Sequence, residues 1–198
     1  MADREQRRQS FDAIAADYDE IRTRYPAELF DALVELAELP ARARLLEIGC
    51  GPGVATVPLA ERGYRITALE LGEAMAHIAR ASVAAHPDVT VIQTSFDDWE
   101  PPSWAGHDLV FAASSWHWLD PDSRYERAHR HLRAGGGLAF WSAAHVLPDD
   151  GDPFFTGIQE VYDQIGAGRA SGTEVPRPGQ LPTRRAEIDA TGLFETVD

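Results

Sequence analysis

The chain has 198 residues, 44% of them hydrophobic and 25% charged, which is the composition of a folded globular domain rather than a disordered segment. Its formal charge is −14, and this excess of carboxylates disfavours nucleic acids and anionic membranes as partners and favours a small-molecule substrate. The sequence contains no lysine, which excludes a phosphate-binding Walker lysine, a Schiff base and a lysine general base.

Three features bear on the compartment. No apolar run approaches the ~20 residues that a membrane helix needs. The charged opening MADREQRRQS lacks the apolar core of a signal peptide. The only cysteine, Cys50, cannot form an internal disulfide, in agreement with a reducing compartment. We therefore expect a cytoplasmic protein that does not insert into a membrane.

Residues 1–40 are predicted to form a helical cap. Apolar residues at helical spacing predict a first helix: Phe11, Ile14, Ala15, Tyr18 and Ile21. The segment PAELFDALVELAEL predicts a second helix, with Pro26 well placed for its first position.

Residues 41–145 alternate between strand and helix patterns. The predicted strands are ARLLEIG, YRITALEL, DVTVIQT, HDLVFAAS and GLAFWSAAH, and the predicted helices are VATVPLAERG, GEAMAHIARASVAAH and PDSRYERAHRHLRAGGG, the last ending in a glycine cluster. Apolar strands joined by helical crossovers specify a doubly wound α/β domain with a mainly parallel sheet. Residues 146–182 hold one predicted helix, around Phe154 to Ile165, and a loop rich in Gly, Pro and Arg, which we expect to act as a lid on the substrate side.

The segment LLEIGCGPG places Gly49, Gly51 and Gly53 directly after the first strand, which ends near Glu47. Glycines in this turn let a backbone approach a ligand closely, although a tight turn alone is the simpler alternative. The dinucleotide pattern G-x-G-x-x-G would require a glycine at the position of Val54. A carboxylate at Glu47 would also repel a pyrophosphate and attract an amino group.

LLEIGCGPG, the acid in ALELGEAM and the segment DLVFAASSWHWL together resemble the class I S-adenosylmethionine-dependent methyltransferases. The opening FDAIAADYDEIRTRYPAELFDAL resembles the N-terminal cap of the small-molecule branch of that family, so the likeness runs from about Phe11 to about His145. The resemblance implies a Rossmann-like fold, S-adenosylmethionine as cofactor, and in-line SN2 transfer of a methyl group to a small-molecule acceptor.

The resemblance also implies roles for individual residues. Glu47 and the loop from Gly49 through Cys50 and Gly51 to Gly53 would meet the methionine end of the cofactor, and Glu70 would accept both ribose hydroxyls. The remaining cofactor-binding candidates are Tyr18 over the methionine end, with Arg22 or Tyr25 nearby, Leu71, Met75, Ser95 and Phe96 around the adenine, and Ala112 on the fourth strand. Ser95 stands where the family usually has an acid, and Asp97 or Asp98 could take over that polar role.

Simpler readings of some of these residues stay open. Glu70 could be a surface acid, Leu71 and Met75 could be core residues, and Tyr18 could be a core aromatic. Cys50 has no activating partner in the sequence and is expected to be a small loop residue rather than a nucleophile.

His117 is the candidate general base, because the family places residues that face the methyl group just beyond strand four. The alternative is that Trp116, His117 and Trp118 only wall off the cofactor, and His145 is a second, weaker candidate for the base. His129 and His131 lie two positions apart on a predicted helix and face different directions, so we predict no metal site.

Sheets of this family end in an antiparallel hairpin, and LFETVD within residues 183–198 predicts its first strand. Because that strand would lack its neighbour, we expect either that the natural chain continues beyond Asp198 or that the sheet edge pairs with another subunit in a homodimer. A nucleotide-dependent oxidoreductase of the NAD type and a catalytically silent S-adenosylmethionine-binding module remain alternative functions. A comparative titration with S-adenosylmethionine and NAD, followed by an acceptor panel, separates the three.

Overall fold

One five-stranded sheet forms the centre of the fold. The computed structural model describes residues 24–101, 106–144, 146, 153–165, 176–181 and 183–197. The strands are β1 (Arg44–Ile48), β2 (Arg65–Glu70), β3 (Val89–Gln93), β4 (His107–Ala113) and β5 (Leu132–Trp141). They lie in the order β3-β2-β1-β4-β5, and every neighbouring pair is parallel. This confirms the doubly wound parallel architecture, with the carboxyl ends of all strands at one edge.

Six α-helices are described: α1 (Ala27–Leu36), α2 (Thr56–Glu61), α3 (Glu73–Ser82), α4 (Arg124–His131), α5 (Pro153–Gln164) and α6 (Arg185–Thr191). The helix predicted from PAELFDALVELAEL is confirmed as α1, with Pro26 at its N-cap rather than in its first turn. The helix predicted around Tyr18 lies outside the described residues. The described part of the chain contains no helix that combines the length and the apolar character needed to cross a membrane.

The central strands are buried on both faces, as their apolar runs predict. Leu45 and Leu46 of β1 and Leu109, Val110 and Phe111 of β4 are at most 1% exposed. Phe30 of α1 and Leu59 of α2 belong to the same buried cluster as Leu45 and Phe111. Each Å² of apolar surface removed from water stabilises the fold by roughly 25 cal/mol, and this free energy holds the strands in place relative to one another. The ends of β1, β2 and β4 are therefore held side by side.

The junction between α4 and β5 differs from the prediction. The helix was expected to continue into the glycine cluster, but α4 ends at His131 and β5 begins at Leu132. The pairing of β4 with β5 shifts from His107↔Leu132 to Leu109↔Gly137, so extra residues of β5 must pass beside His107. A Cβ on Gly136 would lie 2.8 Å from the carbonyl oxygen of His107. The glycines thus serve an irregular strand rather than a helix end.

The chain divides into two compact units, the second running from Ala143 to Thr196. The helix predicted around 154–165 is confirmed as α5. The strand predicted from LFETVD is wrong for the described residues, because residues 193–197 form no strand. Helix α6 ends before Gly192, which has φ +64°, and the N–H of Leu193 donates to the side-chain oxygen of Thr191. Local bonds therefore take the place of a sheet ladder there.

Candidate functional site

A cavity of about 310 Å³ opens at the carboxyl ends of β1, β2 and β4. This is the edge at which doubly wound sheets bind their ligands. The described residues that line it are Tyr25, Glu47, Ile48, Gly49, Cys50, Gly51, Pro52, Val54, Ala55, Leu69, Glu70, Leu71, Gly72, Glu73, Met75, Thr94, Ser95, Phe96, Ala113, Ser114, Ser115, Trp118 and Leu119.

The glycine loop between β1 and α2 forms one wall. Gly49, Gly51 and Gly53 have φ values of +67°, +56° and +98°, a region that side chains rarely adopt. A Cβ on Gly49 would lie 2.8 Å from the Cβ of Ser115, so this glycine allows the loop to touch the segment after β4. A Cβ on Gly51 would have no atom within 4 Å, so the backbone there presents a bare face.

Backbone N–H groups of this loop are used inside the protein. The N–H of Cys50 donates to the carbonyl of Leu69 at 3.0 Å, and the N–H of Gly53 donates to the carbonyl of Cys50 at 3.0 Å. The N–H of Gly51 donates to Oε2 of Glu70 at 2.8 Å. These three groups cannot bind an anionic ligand without giving up an existing hydrogen bond.

Glu47 is buried and only half satisfied. Its side chain is 1% exposed, and Oε2 accepts a hydrogen bond from the hydroxyl of Thr56 at 2.6 Å. Oε1 accepts no hydrogen bond from any described residue, although the residue lines the cavity. Burial raises the pKa of Glu47 to about 8, against the opposing hydrogen bond from Thr56 and with a further contribution from the charge of Glu70. Oε1 is thus a buried acceptor atom of a cavity-lining residue that no described residue uses.

Glu70 ends β2 and holds two turns together. Its Oε2 accepts the N–H of Gly51, and its Oε1 accepts the N–H of Gly72 at 2.9 Å. Each carboxylate oxygen has two lone pairs, so one per oxygen remains for a ligand after these bonds. The residue is thus more than a surface acid, because it fixes the spacing between the glycine loop and the start of α3.

An apolar wall closes the cavity beyond Glu70. Met75 and Phe96 are 4% and 2% exposed and line the cavity together with Leu71. Arg127 places its guanidinium 5.5 Å from the centre of the Phe96 ring and donates to the Phe96 carbonyl at 3.0 Å. Ser95 donates to Oδ2 of Asp98 at 2.6 Å, so the carboxylate proposed to replace the family's acid is already bonded within this turn.

The segment after β4 forms the opposite wall. Ser114 has φ +60°, an uncommon conformation for a residue with a side chain, and its N–H donates to the carbonyl of Trp141 at 2.7 Å. The hydroxyls of Ser114 and Tyr25 lie 2.8 Å apart, and Ser115 donates to the carbonyl of Ile48. The ring of Tyr25 packs edge-on against Trp141 at 5.8 Å. Strain held in place at a strand end is typical of functional sites.

The structure brings most of the predicted cofactor-binding residues to this cavity. Those in its wall are Glu47, Gly49, Cys50, Gly51, Glu70, Leu71, Met75, Ser95 and Phe96. Gly53 and Ala112 are not in the wall: a Cβ on Gly53 would lie nearest to Ser82, and Ala112 is fully buried within β4. Tyr18, Arg22 and His145 lie outside the described residues.

His117 occupies a 3₁₀ turn (Trp116–Trp118) after β4. Its side chain is exposed and does not line the cavity, whereas its neighbours Trp118 and Leu119 do. Its role as a base stays a prediction. The sequence reasoning missed Ser114 and Ser115, although two hydroxyl residues directly after an apolar strand at this edge are a usable signal. Within the described ranges, no group of three His, Cys, Asp or Glu side chains could hold a metal ion.

Comparison with known proteins agrees with this arrangement. Residues 45–136 match the family model described as a methyltransferase domain. The chain is 31% identical over 157 residues to the uncharacterized methyltransferase Rv3342 of Mycobacterium tuberculosis, covering 73% of this chain and 61% of the relative. It is 35% identical over 124 residues to trans-aconitate 2-methyltransferase of Afipia carboxidovorans, covering 62% of this chain and 45% of the relative.

A solved structure shows the same fold. The CcbJ methyltransferase from Streptomyces caelestis superposes with a TM-score of 0.54 at 28% identity, over 64% of this chain and 54% of that one. The chain spans less than two thirds of the length of each of these three proteins. Residues 45–136, which match the family model, contain the glycine loop, Glu70 and the segment after β4.

Proposed function

The chain belongs to the class I S-adenosylmethionine-dependent methyltransferases, and on this premise we propose that it transfers a methyl group from S-adenosylmethionine to a small-molecule acceptor. The observation that carries the proposal is that Glu47, a residue of the cavity wall, has a buried Oε1 atom that accepts no hydrogen bond from a described residue. When bound, S-adenosylmethionine supplies an electrophilic sulfonium methyl group, and its transfer breaks the S–C bond and leaves the electron pair on sulfur.

The donor set of the cavity fits this cofactor. An ammonium group opposite Oε1 of Glu47 would satisfy the open acceptor and favour the ionised carboxylate in a site shielded from water. Glu70 offers one remaining lone pair on each oxygen, which is the pattern that a ribose diol requires. The apolar surface of Leu71, Met75 and Phe96 suits the flat face of an adenine.

The same features disfavour the NAD-type alternative. A pyrophosphate at the glycine loop would face the carboxylates of Glu47 and Glu70, and the N–H of Gly51 that could bind it is already bonded to Glu70. The third glycine of the dinucleotide pattern is also replaced by Val54.

The protein's part in the reaction is to hold the acceptor in line with the methyl group and to exclude water. The walls that remain for this task are Tyr25 and the segment from Ala113 to Leu119 after β4. A general base is needed only if the attacking atom carries a proton, and His117 would take that role only by turning toward the cavity.

Calorimetric binding of S-adenosylhomocysteine tests the proposal. Glu70→Gln replaces one acceptor oxygen by an NH₂ group, which must then face one of the two backbone N–H donors. We therefore expect S-adenosylhomocysteine binding to weaken by roughly 10- to 100-fold, or about 1.5 to 3 kcal/mol. Glu73→Gln is the matched control, because it removes the same charge from the same wall at an exposed side chain, and we expect a change below about threefold.

Three outcomes would count against parts of the proposal. Equal losses of S-adenosylhomocysteine affinity in both variants would mean that Glu70 acts only through its negative charge and not through hydrogen bonds to the ribose. Tighter binding of NAD than of S-adenosylhomocysteine by the unaltered protein would replace the proposed function by the oxidoreductase alternative. Tight S-adenosylhomocysteine binding without methyl transfer across a broad acceptor panel would instead support a silent binding module.

A further inference from the structure

The cavity has two chemically different sides. The side formed by β1, β2 and α3 carries the acids Glu47, Glu70 and Glu73 and the apolar residues assigned to the cofactor. The side formed after β4 carries Tyr25, Ser114, Ser115, Trp118 and Leu119, which are neutral. Because β1 lies between β2 and β4 in the sheet, an acceptor placed next to the methionine end of the cofactor would face this second side.

The charge of the cavity selects among acceptor classes. The described lining residues include three acidic side chains and neither arginine nor histidine, and the whole chain has no lysine. The cofactor has a net charge of only +1, so negative charge still prevails when it is bound. A carboxylate acceptor would be repelled by this wall, whereas an ammonium group would be attracted.

The absence of a histidine from the described wall bears on the attacking atom. An alcohol or a phenol must lose its proton to a base during the attack, and the proposed function assigns Glu47 and Glu70 to the cofactor, which leaves Glu73 as the one acid of the described wall without a role. A primary amine that arrives as an ammonium ion gives one proton to solvent, and its lone pair then forms the new C–N bond. The product is a methylated ammonium ion, which the acidic wall stabilises.

One pair of residues is built to hold such an acceptor. Ser114 is fixed by the bond from its N–H to Trp141, and its hydroxyl is oriented by Tyr25 at 2.8 Å. The edge-on contact of Tyr25 with Trp141 restricts the ring, so the hydroxyl of Ser114 has a defined position at the cavity wall. Tyr25 and Trp118 also line the cavity, and aromatic rings suit an apolar body or a cation.

We propose that the methyl acceptor is an amine with an apolar or aromatic body, and that Ser114, oriented by Tyr25, is the residue that positions it. This inference rests on the proposed function, because it takes the β1 and β2 side of the cavity to be the cofactor side.

The test uses three matched probes on protein saturated with S-adenosylhomocysteine: 2-phenylethylamine, 2-phenylethanol and 3-phenylpropionate. We expect the amine to bind at least about tenfold more tightly than the carboxylate, as the Coulomb energies near two acids predict, and more tightly than the alcohol. With S-adenosylmethionine in place of the product, mass spectrometry is expected to detect the N-methylated amine.

Ser114→Gly removes the hydroxyl and suits the positive φ, and Tyr25→Phe removes the orienting hydroxyl and keeps the ring. Each is expected to weaken amine binding by about tenfold while S-adenosylhomocysteine binding changes by less than about twofold. Tyr64→Phe, which removes a tyrosine hydroxyl outside the cavity wall, is the matched control and is expected to change neither.

The outcomes separate the inference from the proposed function. Failure to bind S-adenosylhomocysteine would overturn both. Normal S-adenosylhomocysteine binding with equal or stronger binding of the carboxylate or the alcohol, or with no amine binding, would overturn the inference alone. A loss of S-adenosylhomocysteine binding in Tyr25→Phe as large as the loss of amine binding would assign the hydroxyl pair to the cofactor, and would also overturn it.

Discussion

Each end of the sheet holds an ionisable side chain that burial pushes toward its neutral form, but only one of the two residues lines the cavity described above. At the carboxyl ends of the strands, burial raises the pKa of Glu47 to about 8. Near their amino ends, burial lowers the pKa of His131 to about 4, with Glu100 opposing the shift and His107, Arg127 and Arg130 adding to it. Both groups avoid charge for the same reason, which is the cost of desolvation.

The surroundings of the two groups differ. His131 is enclosed by rings, with Trp99 at 5.1 Å and Phe96 at 5.6 Å between ring centres, and its carbonyl accepts a bond from His107 at 2.9 Å. Glu47 instead lies in a cavity wall, and its Oε1 accepts no hydrogen bond from a described residue. A desolvated group among aromatic rings contributes to packing, whereas one at a cavity wall is available to a ligand.

The neighbouring strand starts show how a polar group is satisfied internally. Asp108, on β4, accepts the N–H of Arg44 at 2.7 Å and the Nε–H of Arg133 at 2.6 Å. Partial burial raises the pKa of Asp108, but these hydrogen bonds and the arginine charges outweigh it and hold that pKa below its ordinary value. Asp108 thus has both carboxylate oxygens bonded inside the protein, whereas Glu47, in the cavity wall at the end of β1, has one oxygen that no described residue uses.

The largest expected effect concerns the pH dependence of stability at Glu47. Its folded pKa lies above the unfolded value of 4.5, so its contribution is fully present below pH 4.5 and is lost as the pH rises toward 8. The loss is about 1.4 kcal/mol per pH unit, or roughly 3 to 5 kcal/mol in all. Chemical denaturation from pH 5 to pH 8 is expected to show this fall in the unaltered protein and a much smaller one in Glu47→Gln. Parallel curves for the two proteins would show that Glu47 is ionised in the free protein.

The second effect has the opposite sign. Because the folded pKa of His131 lies below its ordinary value of 6.5, stability is lost as the pH falls from 6.5 toward 4, by about 2 to 3 kcal/mol. His131→Phe keeps a ring among Phe96 and Trp99 and is expected to flatten this acid limb of the denaturation profile. The exposed His77→Gln serves as the control and should leave the limb unchanged. An unaltered limb in His131→Phe would assign the acid loss to other groups.

The fold could be read from the sequence because apolar runs and their spacing record which faces are buried. The strands from ARLLEIG to HDLVFAAS appear where they were predicted, since a parallel sheet covered on both sides leaves little freedom in composition. The end of α4 could not be read. The glycines after Arg133 resemble a helix stop, but their reason is the shifted pairing of β5 with β4 beside His107, which only the tertiary contact reveals.

The site, like the fold, has features that the sequence predicts and features that only the structure reveals. Glu47 and Glu70 were both recognisable as acids near the ends of strands, and both lie in the cavity wall. The sequence did not reveal that the two acids have different hydrogen-bond partners. Glu47 accepts from Thr56, nine residues after it, and Glu70 accepts from Gly51, nineteen residues before it. Ser114 was missed because its importance comes from a positive φ and a hydroxyl contact with Tyr25 that no local pattern encodes.

The last prediction concerns the pH dependence of ligand affinity. It follows from two properties of Glu47, which are its neutral state in the free protein and its Oε1 atom without a hydrogen bond from a described residue. If a cofactor ammonium group takes the ionised carboxylate as its partner, binding at neutral pH must release the proton that Glu47 holds. Affinity for S-adenosylhomocysteine is then expected to rise by up to about tenfold per pH unit between about pH 5.5 and 7.5, and to level off near pH 8, where an α-amino group also titrates.

Calorimetry in buffers of different ionisation enthalpy measures that proton directly. About one proton should be released per ligand at pH 6.5 by the unaltered protein and by Glu73→Gln, and close to none by Glu47→Gln. Proton release that persists in Glu47→Gln would mean that another group titrates on binding. His131 is buried and its pKa lies well below this range, so it stays neutral throughout the titration. Proton release that occurs in the unaltered protein but not in Glu47→Gln therefore comes from Glu47, at the carboxyl ends of the strands.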